Sequence, residues 1–399
     1  MSAESLPELA ATVEPLIEVS VVMPCLNEAD TLATCIGKAQ RSLAEHSIRG
    51  EIIVADNGSA DGSQRIAEEM GARVVHVAEK GYGNALMGGI AAARGKYVIM
   101  GDADDSYDFL EIGKFVAKLR EGYDLVQGCR LPAGGGKVMR RAMPFLHRWW
   151  GNPMFSSLAR SWFSAPVKDV YCGLRGFQRN LTSELNQRCT GMEFATEMII
   201  KSSMFGVKIA EVPITLHPDG RKTRAPHLKT FSDGWRTMRF FMMYSPRWLF
   251  LIPGAVLVLL GTIGYCLAIP SLSIGKATFD AHTLIFASLA ILCGYQSILF
   301  AIFTKTYAVG EKLMPEDKRL TRFCQIVNLE RGITLGVTAM IGGCFLMSCA
   351  VYKWYSVDFG NLDYSHTMRL VVPGATLTAL GFQTILSGFF VSILGMRGE

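Results

Sequence analysis

The chain has 399 residues, half of them hydrophobic and 19% charged, with a formal net charge of +5. It is too apolar for an ordinary cytosolic enzyme and too charged for a purely membranous protein, so a soluble part and a membrane part are expected in one chain. The mild positive balance gives no sign of a nucleic-acid partner, and the mean hydropathy of +0.25 also argues for a membrane part.

Residues 1–17 form an acidic tail without an apolar core, so no signal peptide is visible. Ten cysteines are scattered along the chain, without a CxxC or Cys/His ligand spacing. They read as small hydrophobic fillers in a reducing compartment.

From residue 18 onward, short β-branched runs alternate with segments apolar at helical spacing. The strand candidates are EVSVVMP, EIIVADN, ARVVHVA, KYVIMGD and YDLVQGC, with EADTLATCIGKAQRSL and YGNALMGGIAAARG among the helical segments. Such a βαβ series predicts a mostly parallel sheet covered by helices. Ligands in such sheets bind outside the carboxyl ends of the strands. A dehydrogenase-type dinucleotide fold needs G-x-G-x-x-G after its first strand, where this chain has PCLNEAD. The later GYGNALMGG has Leu86 in the third glycine's place. The dinucleotide reading is therefore rejected. One predicted strand end carries GDADDSYDF, residues 101–109, with four carboxylates in nine positions.

Further on, GGGKVMRRAMPFLHRWWGNPMF combines a glycine hinge with a basic, aromatic tail that reads either as lying on lipid headgroups or as a packed loop. The stretch from Asp219 to Arg247 holds seven Lys/Arg against two Asp, interleaved with Phe231, Trp235, Phe240 and Phe241, and Trp248 follows. It reads as an interfacial helix on an anionic membrane surface. Apolar runs at about 249–269, 284–303, 333–351 and 370–394 have spanning length and contain no Asp, Glu, Lys or Arg. Six Lys/Arg lie between the second and third runs, against one and two in the other connections. The positive-inside rule then makes that connection, the soluble front and both termini cytoplasmic. The lack of charge inside the spans argues against an ion-coupled transporter.

The order Pro24-x-x-Asn27-Glu28, VADNGSADGS, GYGNAL and DAD resembles that of family 2 glycosyltransferases, over roughly residues 18–216. With its spans, the chain resembles membrane-anchored polyprenyl-phosphate glycosyltransferases such as dolichyl-phosphate mannose and glucose synthases. The resemblance implies an α/β, GT-A (Rossmann-like) cytoplasmic domain at 18–216. A basic juxtamembrane region at 217–248 and a four-helix transmembrane domain at 249–399 would follow. The implied activity is inverting, metal-dependent transfer of a hexose from UDP-glucose or GDP-mannose to a polyprenyl phosphate, without a covalent enzyme intermediate. The implied partners are the nucleotide sugar, the lipid phosphate and the bilayer, and a small four-helix anchor is suited to self-association.

Asp102 and Asp104 lie two apart, so at a strand end their side chains would share a face. Two hard oxygen ligands there suit Mg²⁺ or Mn²⁺, which would offset charge on the departing diphosphate. Ser106 stands where the family often has Gln, which leaves a third ligand open. Asp108 reads as a helix cap, and Asp105 is left between metal and turn. Asp56 matches the family acid that binds the nucleotide base, with turn capping as the plain alternative. Pro24, Asn27 and Glu28 would line the same pocket. Asp169, in VKDVYCGLRGF, matches the acid near the acceptor. A phosphate monoester with a second pKa near 6 is already largely a dianion at neutral pH. Asp169 is therefore expected to position sugar or acceptor rather than chiefly to remove a proton. Arg175 would pair with Asp169 or clamp a phosphate, and Arg221, Lys222 and Arg224 would clamp the lipid phosphate.

Two other readings share these features. A processive polysaccharide synthase would carry Q-x-x-R-W before its interfacial helix; FLHRW has Phe145 in place of Gln and precedes Asp169. A non-catalytic nucleotide-sugar receptor would be expected to have lost the paired acids.

Overall fold

The computed structural model describes residues 17–221, 230–326 and 328–395. The chain divides into two compact units, residues 1–240 and 241–399. In the first, the elements run β1 (Val19–Cys25), α1 (Leu32–Glu45), β2 (Gly50–Asp56), α2 (Ser63–Glu69), β3 (Arg73–His76), α3 (Tyr82–Ala92), β4 (Tyr97–Met100), α4 (Ile112–Arg120), β5 (Leu125–Cys129), β6 (Lys137–Val138), α5 (Asn152–Phe163), β7 (Arg175–Gln178), α6 (Leu181–Glu184), α7 (Glu193–Met204), β8 (Ile209–Pro213) and β9 (Thr215–Leu216).

Seven strands form one sheet in the order β3-β2-β1-β4-β7-β5-β8. All neighbours pair parallel except β7, which is antiparallel to both β4 and β5. Strand β1 sits centrally, and its run VSVVMPC is buried on both faces, as a strand covered by helices on each side requires. Val19, Val21 and Met23 join Leu32, Cys35, Ile36 and Ala39 of α1 in the core. Those α1 positions recur at helical spacing and make one apolar stripe. On the opposite face Val22 meets α3, where a Cβ at Gly89 would come 2.5 Å from the Val22 side chain. Phe109, Phe115 and Tyr107 extend the α1 side of this core. Each large apolar side chain so buried contributes about 1.5–3 kcal/mol.

The strand β7 was not among the sequence candidates. Its insertion brings the segment before it, residues 169–174, to the carboxyl edge of the parallel strands, because its first residue Arg175 sits opposite Met100 and Gln127.

Helix α8 (Thr230–Met243) leads into the second unit. There α9 (Ile252–Ala268), α10 (Ala281–Gly310), α12 (Leu329–Tyr355) and α13 (Tyr364–Gly395) are the long helices. A small hairpin, β10 (Ser273–Ile274) and β11 (Ala277–Thr278), separates the first two, and α11 (Lys318–Ile326) lies between the second and third. Among the described residues, four segments are long and apolar enough to cross a membrane: Arg247–Ala268, Ala281–Gly310, Leu329–Tyr355 and Tyr364–Gly395. Each exceeds the apolar run expected from sequence at one or both ends, since the helices continue into polar residues such as Lys305, Arg331 and Lys353.

With no water to exclude between spans, close packing and polar contacts hold such helices together. A Cβ at Gly381 of α13 would approach the Gly336 carbonyl of α12 to 2.5 Å, and one at Gly343 would come 2.5 Å from the Gly374 carbonyl. The Tyr265 hydroxyl of α9 lies 2.6 Å from Ser288 of α10 and donates to Thr376 of α13 at 3.1 Å. Gly381→Val should therefore separate α12 from α13 and lower the melting temperature of the detergent-solubilised protein by several degrees, about 2–4 °C per kcal/mol lost. Gly342→Ala, whose Cβ would meet nothing within 4 Å, is the control and should melt like the parent. Equal melting of both variants would contradict this packing.

Candidate active site

The carboxyl ends of β1, β2, β4 and β5 and the first residue of β7 form one edge, and the candidate residues gather along it. On the β1–β2 side, Asn27 adopts φ +59 and its Oδ1 accepts from Ala60 N at 2.7 Å. The Asn27 and Glu28 amides donate to Ser59 Oγ and Ser63 Oγ. Pro24 precedes this turn within β1, opposite Ala55. Asn27 thus laces two loops together and is not a helix cap; Thr31 precedes α1.

Asp56 is 1% exposed. Its carboxylate accepts from the Ser59 amide at 3.1 Å, the Gly58 amide at 3.1 Å and Gln64 Nε2 at 2.7 Å. Burial opposes its charge, but the hydrogen bonds from Ser59 and Gln64 hold the carboxyl below the usual range. The turn-capping geometry is therefore present. Gln64 was not singled out from the sequence.

Asp102 and Asp104 lie in a turn beyond Met100, so the turn, and not strand alternation, sets their orientation. The Tyr82 hydroxyl donates to Asp102 Oδ1 at 2.7 Å. Burial first, and then the neighbouring charge of Asp104, push the Asp102 carboxyl up to about 6. Asp104 Oδ1 accepts from the Ser106 amide at 3.0 Å and the Ser106 hydroxyl at 2.6 Å. Its Oδ2 faces Arg221 Nη2 at 3.0 Å. The other two acids of the cluster are accounted for locally. Asp105, at φ +59, pairs with Lys38 at 2.8 Å, and Asp108 accepts from the Leu110 amide as the cap of a short 3-10 turn before α4.

Beside Lys38, Arg221 is a second cation at this cluster. It contacts Glu28 Oε1 at 3.1 Å, Asp104 Oδ2 at 3.0 Å and Asp219 Oδ2 at 2.7 Å. One guanidinium thus serves three carboxylates. Burial pushes the Glu28 carboxyl up to about 7, opposed by Arg221 and reinforced by Asp104, Asp219 and Asp102. Glu28 Oε2 is buried and has no hydrogen-bond partner among the described residues. Lys222 and Arg224, expected beside Arg221, lie outside the described residues.

On the other side of the edge, Asp169 is fully buried and receives Arg130 in a bidentate pair, Nε to Oδ2 at 2.7 Å and Nη2 to Oδ1 at 2.8 Å. The Arg130 amide donates to the same Oδ2 at 3.0 Å. The expected Asp169–Arg175 pair is not formed. Arg175 is fully buried and donates to the carbonyls of Ala195 at 2.5 Å and Cys172 at 2.6 Å, so it braces the Asp169 loop against the start of α7 and has no face for a phosphate. Arg130 was missed because it closes the apolar run LVQGC without motif neighbours. The Tyr107 hydroxyl accepts from the Gly173 amide at 2.8 Å and from Arg130 Nη1 at 3.4 Å, which joins this loop to the acidic turn.

The aromatic segment before α5 is outward-facing: Phe145 and Trp150 are 75% and 70% exposed, and Arg148 lies 5.4 Å from the Trp149 ring centroid. Trp235, Arg236 and Arg239 of α8 are exposed, whereas Phe240 and Phe241, expected as surface anchors, are buried.

Among the described residues, no three or more His, Cys, Asp or Glu converge on one point as a full metal cage. The donor set nevertheless fits a hard divalent ion that keeps waters and draws other ligands from phosphate: two carboxylates that feel each other's charge, beside the orphaned Glu28 oxygen. Both raised carboxyls bind more protons folded than unfolded between their ordinary values (3.8 and 4.5) and about 6 and 7. In chelator their contribution therefore lowers stability as pH rises through that window. The melting-temperature gain from added Mg²⁺ or Mn²⁺ should grow over the same window, as deprotonated oxygens become available. A gain independent of pH from 5 to 8, a range set by those values, would contradict this arrangement.

Two family descriptions match the chain: Glycosyl transferase family 2 over residues 20–185, and Glycosyltransferase family 2 C-terminal transmembrane region over residues 302–395. The low-salt glycan biosynthesis hexosyltransferase Agl6 of Haloferax volcanii is 35% identical over 378 residues, covering 94% of this chain and 89% of that protein. A dolichyl-phosphate hexose transferase of the same organism is 32% identical over 218 residues, 54% of this chain and 89% of that one. Among solved structures, glucosyl-3-phosphoglycerate synthase from Mycobacterium tuberculosis in complex with UDP superposes with a TM-score of 0.44 at 22% identity, over 57% of this chain and 79% of that one. With Agl6 at 35% identity aligned along nearly its whole length, and family descriptions matching both its front and its membrane region, this chain belongs to glycosyltransferase family 2 and is an enzyme with a membrane region.

Proposed function

We propose that this glycosyltransferase moves a hexose from a nucleotide sugar to a polyprenyl phosphate at the cytoplasmic membrane face, with inversion. The observation that carries the reading is the juxtaposition of Asp102, Asp104, Glu28 and Arg221 at the carboxyl edge of the sheet, in a chain that carries its own four spans. The name of the dolichyl-phosphate hexose transferase relative supports a lipid-phosphate acceptor. The donor is UDP-glucose or GDP-mannose. Cytoplasmic placement of the front and termini follows from the Lys/Arg-rich connection between the second and third spans.

Asp102 and Asp104 would hold Mg²⁺ or Mn²⁺, which when bound supplies charge neutralisation for the departing diphosphate. The chain's own residues do the rest. Asn27 and Asp56 shape the loops that would hold the nucleoside, with Pro24 and Glu28 beside them. Arg221 provides a positive charge next to the acids, able to trade a carboxylate for a phosphate of donor or acceptor. Asp169, locked by Arg130 with both oxygens occupied, suits a fixed positioning element better than a proton acceptor. The acceptor phosphate, already largely dianionic at neutral pH, brings its own nucleophilic oxygen. The exposed Phe145, Trp149 and Trp150 beside Arg148 would rest at the headgroup level where that phosphate resides.

Purified protein given radiolabelled UDP-glucose or GDP-mannose and a polyprenyl phosphate should form an organic-soluble labelled lipid with one donor. Asp102→Asn and Asp104→Asn should each lower turnover by more than about 100-fold, beyond the loss typical of an outer-shell change. Nucleotide-sugar binding without any labelled lipid would overturn the transferase reading and favour a receptor. Asp169→Asn should lower kcat yet leave the acid limb of the pH–rate profile in place, near the second phosphate pKa of about 6. Disappearance of that limb would assign Asp169 the proton instead.

A further inference from the structure

Between the two laced loops and the acidic turn stands α3, which begins at Tyr82 between two glycines. Gly81 has φ +136, and its Cβ would lie 2.5 Å from the Thr190 carbonyl; a Cβ on Gly83 would lie 2.4 Å from the Cys189 carbonyl. Bare backbone at both positions lets residues 81–84 dock edge-on against residues 189–190. The amides of Gly83 and Asn84 donate to the Thr190 carbonyl at 2.8 and 3.3 Å. That clasp is itself held by a fully buried ion pair within α7, Lys201 Nζ to Glu197 Oε1 at 2.6 Å. Glu197 also accepts from the amides of Arg188 at 3.0 Å and Cys189 at 2.8 Å, and Lys201 donates to the Asn186 carbonyl at 2.7 Å. From the opposite side the Gly81 amide donates to Asn57 Oδ1 at 2.9 Å, and Lys80 donates to the Asn57 carbonyl at 2.5 Å.

The backbone of Tyr82 is thus fixed from two directions, and its hydroxyl ends on Asp102 Oδ1 at 2.7 Å. The other oxygen of that carboxylate has a neighbour that must stay bare, since a Cβ on Gly173 would come 2.9 Å from Oδ2. The Asp102 carboxylate therefore has one orientation set by a donor and a close backbone wall. Ligating carboxylates depend on such outer partners for their aim, and losing one typically weakens metal binding about 10–100-fold.

We propose that Tyr82 is a positioning residue for Asp102, aiming its carboxylate at a divalent cation, and that the Glu197–Lys201 clasp sets Tyr82 in turn. The proposal rests on the reading of Asp102 as a cation ligand. It explains why GYGNAL needs glycine on both sides of an aromatic hydroxyl: the glycines admit the clasp, and the hydroxyl is the part that acts.

The test is Mn²⁺ binding to the full-length protein in detergent, read from the free-ion electron paramagnetic resonance signal, with melting temperature recorded beside it. Tyr82→Phe removes only the hydroxyl and should weaken Mn²⁺ binding about 10–100-fold while the protein stays folded. Gly83→Ala keeps the hydroxyl but forces the clasp apart, and should weaken binding in the same direction. A lower melting temperature in Tyr82→Phe with unchanged Mn²⁺ affinity would mean a structural role only and overturn the proposal. Asp102→Asn separates the two levels. If it loses Mn²⁺ binding and Tyr82→Phe does not, only the positioning role fails; if it too binds Mn²⁺ normally, the cation reading of Asp102 falls as well.

Discussion

Carboxylates crowd the carboxyl edge of the sheet faster than the described chain supplies cations for them. Glu28, Asp104 and Asp219 share the single guanidinium of Arg221, and the hydrogen bond to Asp102 comes from the Tyr82 phenol. Burial first, and then the neighbouring negative charges, push the carboxyls of Glu28 and Asp102 upward. The fold must spend packing energy to hold them there. Under the proposed function, that excess of negative charge is what would attract a divalent ion and the phosphates it neutralises.

The neighbouring loop solves the opposite problem. Asp169 is buried completely, yet Arg130 and a backbone amide satisfy it. Breaking such a buried pair from one side typically costs about 3–5 kcal/mol. The pair is therefore rigid, and Tyr107 ties it through Gly173 to the turn that carries Asp102 and Asp104. An under-compensated acidic turn and a fully compensated acid sit on one sheet edge. Under the proposed function, the first would exchange partners with a ligand and the second would keep its place while that happens.

The membrane unit follows a different physics. Its spans gain little by hiding apolar surface from lipid, so their contacts rely on glycines that let backbones approach, as at Gly336 and Gly381, and on hydroxyls such as Tyr265 and Ser288 that find partners inside the unit. Both are compatible with spans free of charged side chains over their apolar runs, which set the expectation of an anchor over a transporter.

Much of the fold could be read from local pattern, because hydrophobic period and strand length are local properties. The strands through YDLVQGC and the four spans are of this kind. Strand β7 escaped because RGFQ is short, mixed in polarity and stabilised by neighbours on both sides rather than by its own composition. At the site, the order of short motifs was enough to single out Asp56, Asp102, Asp104 and Asp169 and to name a family. Which residue types stand at the ends of strands, and how much apolar length follows them, is legible along the chain alone. Their partners come from the folding of distant segments together: Arg130 and not Arg175 for Asp169, 39 positions away, Arg221 for Asp104 and Glu28 at separations of 117 and 193, and Tyr82 for Asp102. Charge and hydrogen bonding act through space over a few ångströms, and no spacing along the chain encodes which distant donor the fold will deliver.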